Sequence, residues 1–206
     1  VLVAVVSGLP RPSAAGADEP GQAALRPLSA HVPRGIKEGR EIFRYDTFGD
    51  EQLWTDTLRM HEVLPAVDPT TALAVGLKVD VEARPDDVIA ALRAGKVDLT
   101  DPAVTVELLR LNAVVGVQGT VDDAGQLTKV GVTCALCHSS VDDSFAPGIG
   151  TRLDGWANTD LNVGAIVALS PALDDATKAE FNEWGPGNYD PRHHAFDGLN
   201  IIPLNS

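Results

Sequence analysis

Cysteine is nearly absent from this sequence. Cys134 and Cys137 are the only two in 206 residues. A bridge between them would close so small a loop that it would constrain little of the unfolded chain. Aromatic residues are few, at 5%, and Met60 is the single methionine. Positive charge is scarce too, with 16 Lys and Arg against 29 Asp and Glu, a formal net charge of −13. A chain this acidic is a poor partner for nucleic acid or an anionic membrane. It suits a partner with a basic docking face, and acidity by itself also keeps a protein soluble. No segment is long and apolar enough for a transmembrane helix, so no membrane span is expected in the mature chain. There is no internal repeat and no low-complexity tract.

What is present points to a packed domain. Hydrophobic residues make up 44% of the chain, enough for a buried core, while 19 glycines and 14 prolines predict many loops. The first residues, VLVAVVSGL, form an apolar run too short to span a bilayer. The small-x-small pattern Ala15-Gly16-Ala17 follows, which has the form of a signal-peptidase site. Residues 1–17 therefore read as a signal peptide lacking its basic start, and the mature protein as exported, periplasmic or extracellular. The competing reading is a buried valine-rich strand. Residues 18–34 read as a flexible lead-in, and 35–206 as one domain. The end, IIPLNS, has no closing element, so the domain reads as one that continues beyond it.

From Gly35 the pattern becomes helical. GIKEGREIFRYDTFG suggests a short helix ending before Thr47. EQLWTDTLRMHEVL suggests a second, capped by Asp50 and ended by Pro65. Further helices are expected after Pro69, from Pro85 to Gly95, and after an N-cap at Thr100 through VTVELLRL. The period then switches. NAVVGVQGTV and QLTKVGVT, separated by the turn DDAG, read as a β-hairpin. VDDSFAPGIGTRLDGW reads as a loop, LNVGAIVAL and ALDDATKAEFNEW as helices, and the tail from Gly185 as a loop. The expected fold is mostly α, with a helical elaboration and one short hairpin.

That hairpin feeds into Cys134-Ala135-Leu136-Cys137-His138. Cys-x-x-Cys-His is the spacing of c-type haem attachment. Two thiols on one helical turn reach the two vinyl groups, and the next residue offers imidazole to the iron. Three other readings compete. A thioredoxin-like dithiol needs a βαβ setting, which the helical surroundings do not supply. A zinc site would need His193 or His194 beside the two thiolates, and adjacent histidines rarely share one metal. A structural disulfide is compatible with export.

The chain resembles the c-type cytochrome superfamily, most closely at Cys134 to His138. GREIFRYDTFGDEQLWTDTLRMHE, LAVGLKVD and GVTCALCHSSVDDSFAPGIGTRLDGWANTDLNVGAI together resemble a group of exported bacterial cytochrome-c-like proteins, over roughly residues 35 to 200. The resemblance implies a cytochrome-c-like domain, haem c with its iron, export, and electron transfer to redox protein partners. It gives no substrate. The alternative is the haem-bearing part of a peroxidase- or oxygenase-like enzyme, and a lesser one is a zinc- or disulfide-stapled binding module.

For the far side of the iron the candidates are Met60, His31, His61, His193 and His194. On one continuous helix Met60 and His61 would lie about 100° apart, so at most one could face the ring. The Trp54, Leu58, His61 spacing favours His61, with Met60 as the alternative. Arg152, Trp156 and Trp54 are expected pocket residues, since an Arg or an indole N–H can hold a propionate. Core packing is the ordinary alternative for the tryptophans. Pro147, Gly148 and Gly150 would let backbone pass close to a ring. Asp142-Asp143 and Asp174-Asp175 lack the alternating oxygens of a calcium loop and read as surface or helix-cap carboxylates.

Overall fold

Helix α1 runs from Arg26 to Tyr45, beginning well before the start that the sequence suggests. The computed structural model describes residues 26–82 and 97–188, with side chains from residue 35 onward, and the backbone of 194–196 and 201–203. The helix expected from Pro85 to Gly95 and the side chains of His31, His193 and His194 lie outside these described residues. The chain divides into two units, Val1–Glu38 and Gly39–Ser206. Everything that follows belongs to the second.

The second expected helix is not one helix. A π-helical segment, Gln52–Thr57, is followed by Arg59 in the left-handed region at φ 55 and then by the single turn α2, Met60–Val63. A 3₁₀ turn, Leu64–Ala66, completes the run. The wide π turn is held from outside. The Thr55 hydroxyl donates to the Val130 carbonyl at 2.8 Å, and the Val130 N–H donates back to it at 2.8 Å. Asp50 does not cap the segment. Its buried carboxylate accepts from the Val132 N–H at 3.0 Å, across 82 positions of chain.

Elsewhere the caps follow from local chemistry. Helix α3, Pro69–Ala74, is capped by Asp68, and α4, Pro102–Arg110, by Asp101 rather than Thr100. In both, an acceptor side chain precedes a proline in the first turn, where a missing N–H costs nothing. Helix α6, Val163–Val167, is capped by Asn162, and α7, Asp175–Asn182, by Asp174. The Asp174 carboxylate is thereby committed to the Thr177 N–H at 2.8 Å.

The expectation of a mostly α, cytochrome-c-like fold is corrected by the strands. The well-defined region is about 41% helical and 16% strand, a mixed architecture with small sheets. Strand β1, Val79–Asp80, pairs in parallel with β5, Ile149–Gly150. The expected hairpin joins β2, Val117–Val121, to β3, Leu127–Val132. Strand β4, Ser139–Val141, pairs antiparallel with β6, Arg152–Asp154. Strand β7, His194–Phe196, pairs with β8, Ile201–Pro203, in the tail read as loop. Helical turn α5, Ala135–His138, lies between β3 and β4. The missed strands are two or three residues long, too short to carry a period of two. The pairing of β1 with β5 and of β4 with β6 joins segments apart in the chain, so nothing local in VDDSFAPGIGTRLDGW marks them.

The main core gathers Trp54, Leu58 and Met60 from the broken segment, Leu108 and Leu109 from α4, and Val130 from the hairpin. Ile166 and Val167 of α6 and Phe181 of α7 close it. A smaller cluster of Val115, Ala135 and Val141, with Phe43 of α1 against it, sits around the motif turn.

Candidate functional site

The motif residues fold as a single helical turn because the hairpin delivers them into a prepared socket. Thr133, the last residue before Cys134, receives the chain from β3 with its N–H donating to the Gly116 carbonyl at 2.9 Å. Its hydroxyl donates to the Arg44 carbonyl of α1 at 3.2 Å. Within the turn the His138 N–H donates to the Cys134 carbonyl at 3.2 Å. The carbonyls left over at its end are taken by the following loop. Asn158 N–H donates to the Cys137 carbonyl at 3.0 Å and Gly155 N–H to the His138 carbonyl at 2.8 Å. The Asn158 side chain then ties that loop to the Gly76 carbonyl at 2.9 Å.

A turn locked on these points has two faces. Positions i, i+3 and i+4 share one of them, and Cys134, Cys137 and His138 are all exposed there. Ala135 and Leu136 face inward, 0% and 6% exposed. Both thiols are free. No described residue hydrogen-bonds the His138 imidazole. Although the Cys137 side chain reaches solvent, packing of neighbouring atoms around its thiol desolvates it and pushes its pKa above the usual range, and the charge of Cys134 pushes it the same way. That is the opposite of the lowered thiol that an attacking dithiol needs. Among the described residues no group of three His, Cys, Asp or Glu side chains is placed to hold a metal ion directly.

A charged cluster flanks the turn. Arg44 of α1 pairs with Asp154 of β6, Nη2 to Oδ2 at 2.7 Å. Burial works against the Arg44 charge, but the Asp154 hydrogen bond and charge hold its pKa above the ordinary value. The other Asp154 oxygen accepts from the Ser139 hydroxyl, directly after His138, at 3.2 Å. Arg152, expected in the pocket, is buried. Its Nε lies 3.4 Å from Asp80 Oδ2, and its guanidinium sits 5.9 Å from the centre of the Tyr45 ring. Burial, helped by the Arg44 charge, lowers its pKa, against the pull of Asp80. Its Nε and Nη1 make no hydrogen bond with the described residues.

The remaining expected residues are dispersed. Trp156 is 65% exposed on the loop after β6. Trp54 and Met60 are buried in the main core and line a cavity on the Leu136 side of the turn. His61 is half-buried, with Nε2 3.9 Å from Glu62. Met60 stands on the cavity side of the turn, not on the face that carries the thiols. The left-handed Arg59 breaks the helix immediately before Met60, so Trp54, Leu58 and His61 do not lie along one continuous helical face. Asp142 is spent on backbone, its Oδ1 accepting from Ser144 N–H at 3.0 Å and Thr151 N–H at 2.8 Å.

Sequence reasoning missed Asp80 and Thr105, and gave Asp50 a capping role in place of its bond to Val132. The partners of Asp80 and Asp50 lie far along the chain and leave no local mark. Thr105 could have been found, because it shares its helical face with Leu108 and Leu109 at the +3 and +4 positions.

The test of fit for haem c rests on the turn. The two thiols are unpaired, the imidazole is uncommitted, and all three stand on one accessible face, so these residues fit the group at its point of attachment. No helix among the described residues is long and apolar enough to cross a membrane. Comparison with known proteins finds no matching family model, no matching curated protein and no matching solved structure.

Proposed function

We propose that this chain is an exported c-type haem protein that carries electrons, with Cys134 and Cys137 as the attachment points and His138 as the axial ligand. The observation that carries the reading is the shared exposed face of these three side chains on a turn whose backbone is fixed at both ends. When bound, the haem supplies one-electron redox chemistry at its iron. The chain itself supplies two thiols, the His138 imidazole on a turn whose last carbonyls are held by the Gly155 and Asn158 N–H groups, and the Arg44–Asp154 pair beside it. Its net charge of −13 suits a redox partner with a basic docking face.

Expression in a host with haem-c maturation, followed by a denaturing gel stained for haem, tests the proposal. Haem should survive denaturation in the wild type and be lost in Cys134→Ala/Cys137→Ala. A wild-type band that does not stain overturns it.

The burial of Met60 on the cavity side of Leu136 favours a second reading, a peroxidase- or oxygenase-like site whose iron has an open sixth position. A reduced spectrum that shifts on adding carbon monoxide supports it, and an unchanged spectrum argues for a closed electron carrier.

A further inference from the structure

Behind the motif turn the fold forms a partly open cavity of about 270 Å³. Its walls come from the broken segment (Met60, Leu64), α3 (Leu73), α6 (Ile166) and the motif itself (Leu136). The volume approaches the lower end of small-molecule sites, roughly 300 Å³. An apolar void of this kind is poorly solvated, and its lining atoms lack contacts that an apolar guest would restore. One wall residue departs from the apolar pattern without a partner. Thr105 of α4 is only 5% exposed, lines the cavity, and its hydroxyl has no hydrogen-bond partner among the described residues. Two other polar wall residues are already engaged. Thr71 donates to Asp68 at 2.7 Å and Asn182 to the Lys178 carbonyl at 2.9 Å. A buried hydroxyl left alone carries the cost of its lost hydration until something accepts its proton.

We propose that this cavity binds a small, mostly apolar molecule carrying one hydrogen-bonding oxygen, in the manner of a ketone, with that oxygen meeting the Thr105 hydroxyl. The site is separate from the thiol face. Leu136 forms its wall, while Cys134, Cys137 and His138 stand on the other side of the same turn. Binding by the haem-free chain therefore does not depend on whether the motif takes haem.

The experiment uses the full chain, haem-free and haem-loaded, with acetophenone as probe and ethylbenzene as the same shape without a comparable acceptor. Titration calorimetry and the melting temperature are the readouts. Acetophenone should bind both forms, roughly three- to tenfold more tightly than ethylbenzene, the range expected of one hydrogen bond. It should raise the melting temperature with concentration. Thr105→Val should melt no lower than wild type and bind the two probes equally, while Thr105→Ser restores the preference. Ala165→Leu, which fills part of the cavity, should weaken both probes. Absence of binding to the haem-free chain overturns the proposal. So does a preference that survives in Thr105→Val. Binding that disappears once haem is attached also overturns it, and assigns the cavity to the haem ring.

Discussion

Leu136 and Cys137 are neighbours in the chain that face opposite ways. Leu136 is 6% exposed and closes the apolar cavity, and Cys137 is exposed with a free thiol. The folded chain should therefore present its thiols without unfolding. In a native-state iodoacetamide reaction followed by peptide mass spectrometry, both cysteines should be alkylated at a denaturant-independent rate. Cys137 should react more slowly than a small model thiol at neutral pH and catch up as pH rises, because partial desolvation and the nearby Cys134 hold its thiol up. Protection of both thiols in the native chain would contradict this arrangement.

Asp50 gives the fold a dependence on pH. Burial, with the Glu51 charge, pushes its pKa up to about 7, although Val132 N–H and the Trp54 indole favour the ionised form. A carboxyl raised in the folded state binds its proton more tightly there than in the unfolded chain. Its stabilising contribution is full below about pH 4 and is lost as pH rises through about 7. Asp50→Asn keeps an oxygen for Val132 and has no proton to lose. It should match wild type near pH 3.5 and exceed it by roughly 2–4 kcal/mol near pH 8, measured by urea unfolding at both values.

Gly116 holds the motif turn at close range. It sits at φ +76, and a Cβ there would collide with the backbone nitrogen of Leu136. Gly116→Ala should cost about 2 kcal/mol or more, since both the left-handed backbone and the contact resist a side chain. It should also reduce haem incorporation relative to the neighbouring control Gln118→Ala, compared by haem-stained gels at matched protein. Equal stability and equal incorporation would contradict the role.

The Asp80–Arg152 pair is almost fully buried, with side chains 2% and 1% exposed. Removing one charge leaves the other unpaired in a dry environment. Asp80→Asn should cost about 3–5 kcal/mol in denaturant unfolding. Adding Arg152→Met should recover part of that loss, so that the double variant is more stable than the sum of the two singles. Strict additivity would show that the two charges do not interact.

Ser170 ties α6 to the end of the π-helical segment. It is 0% exposed, donates to the Leu58 carbonyl at 2.7 Å, and accepts from Ala172 N–H at 3.1 Å. Ser170→Ala leaves both backbone groups unpaired and should lower stability by about 1–3 kcal/mol, read from thermal unfolding.

The elements legible beforehand share one property: their cause is local. The hairpin announces itself through two β-branched runs around DDAG, and α3 and α4 through a proline in the first turn, although the α4 cap is Asp101 and not the expected Thr100. The motif turn is legible because i, i+3 and i+4 share a face whatever surrounds them. The broken segment from Glu51 to Ala66 was not, because its residues suit a regular helix and the break is imposed by Thr55 gripping Val130 on another element. The two small sheets β1–β5 and β4–β6 were equally hidden, since each pairs short segments that meet only after the chain has returned.

The amino-acid order alone determined that two thiols and an imidazole occupy one side of one turn, because helical geometry needs no distant partner to set that spacing. Tertiary structure decided which way the turn faces, that Met60 and Trp54 stand behind Leu136 rather than beside His138, and that Arg152 is sealed against Asp80. Those outcomes depend on long-range packing and on the cost of leaving charge or apolar surface in the wrong place. Neither is written in any short stretch of the chain.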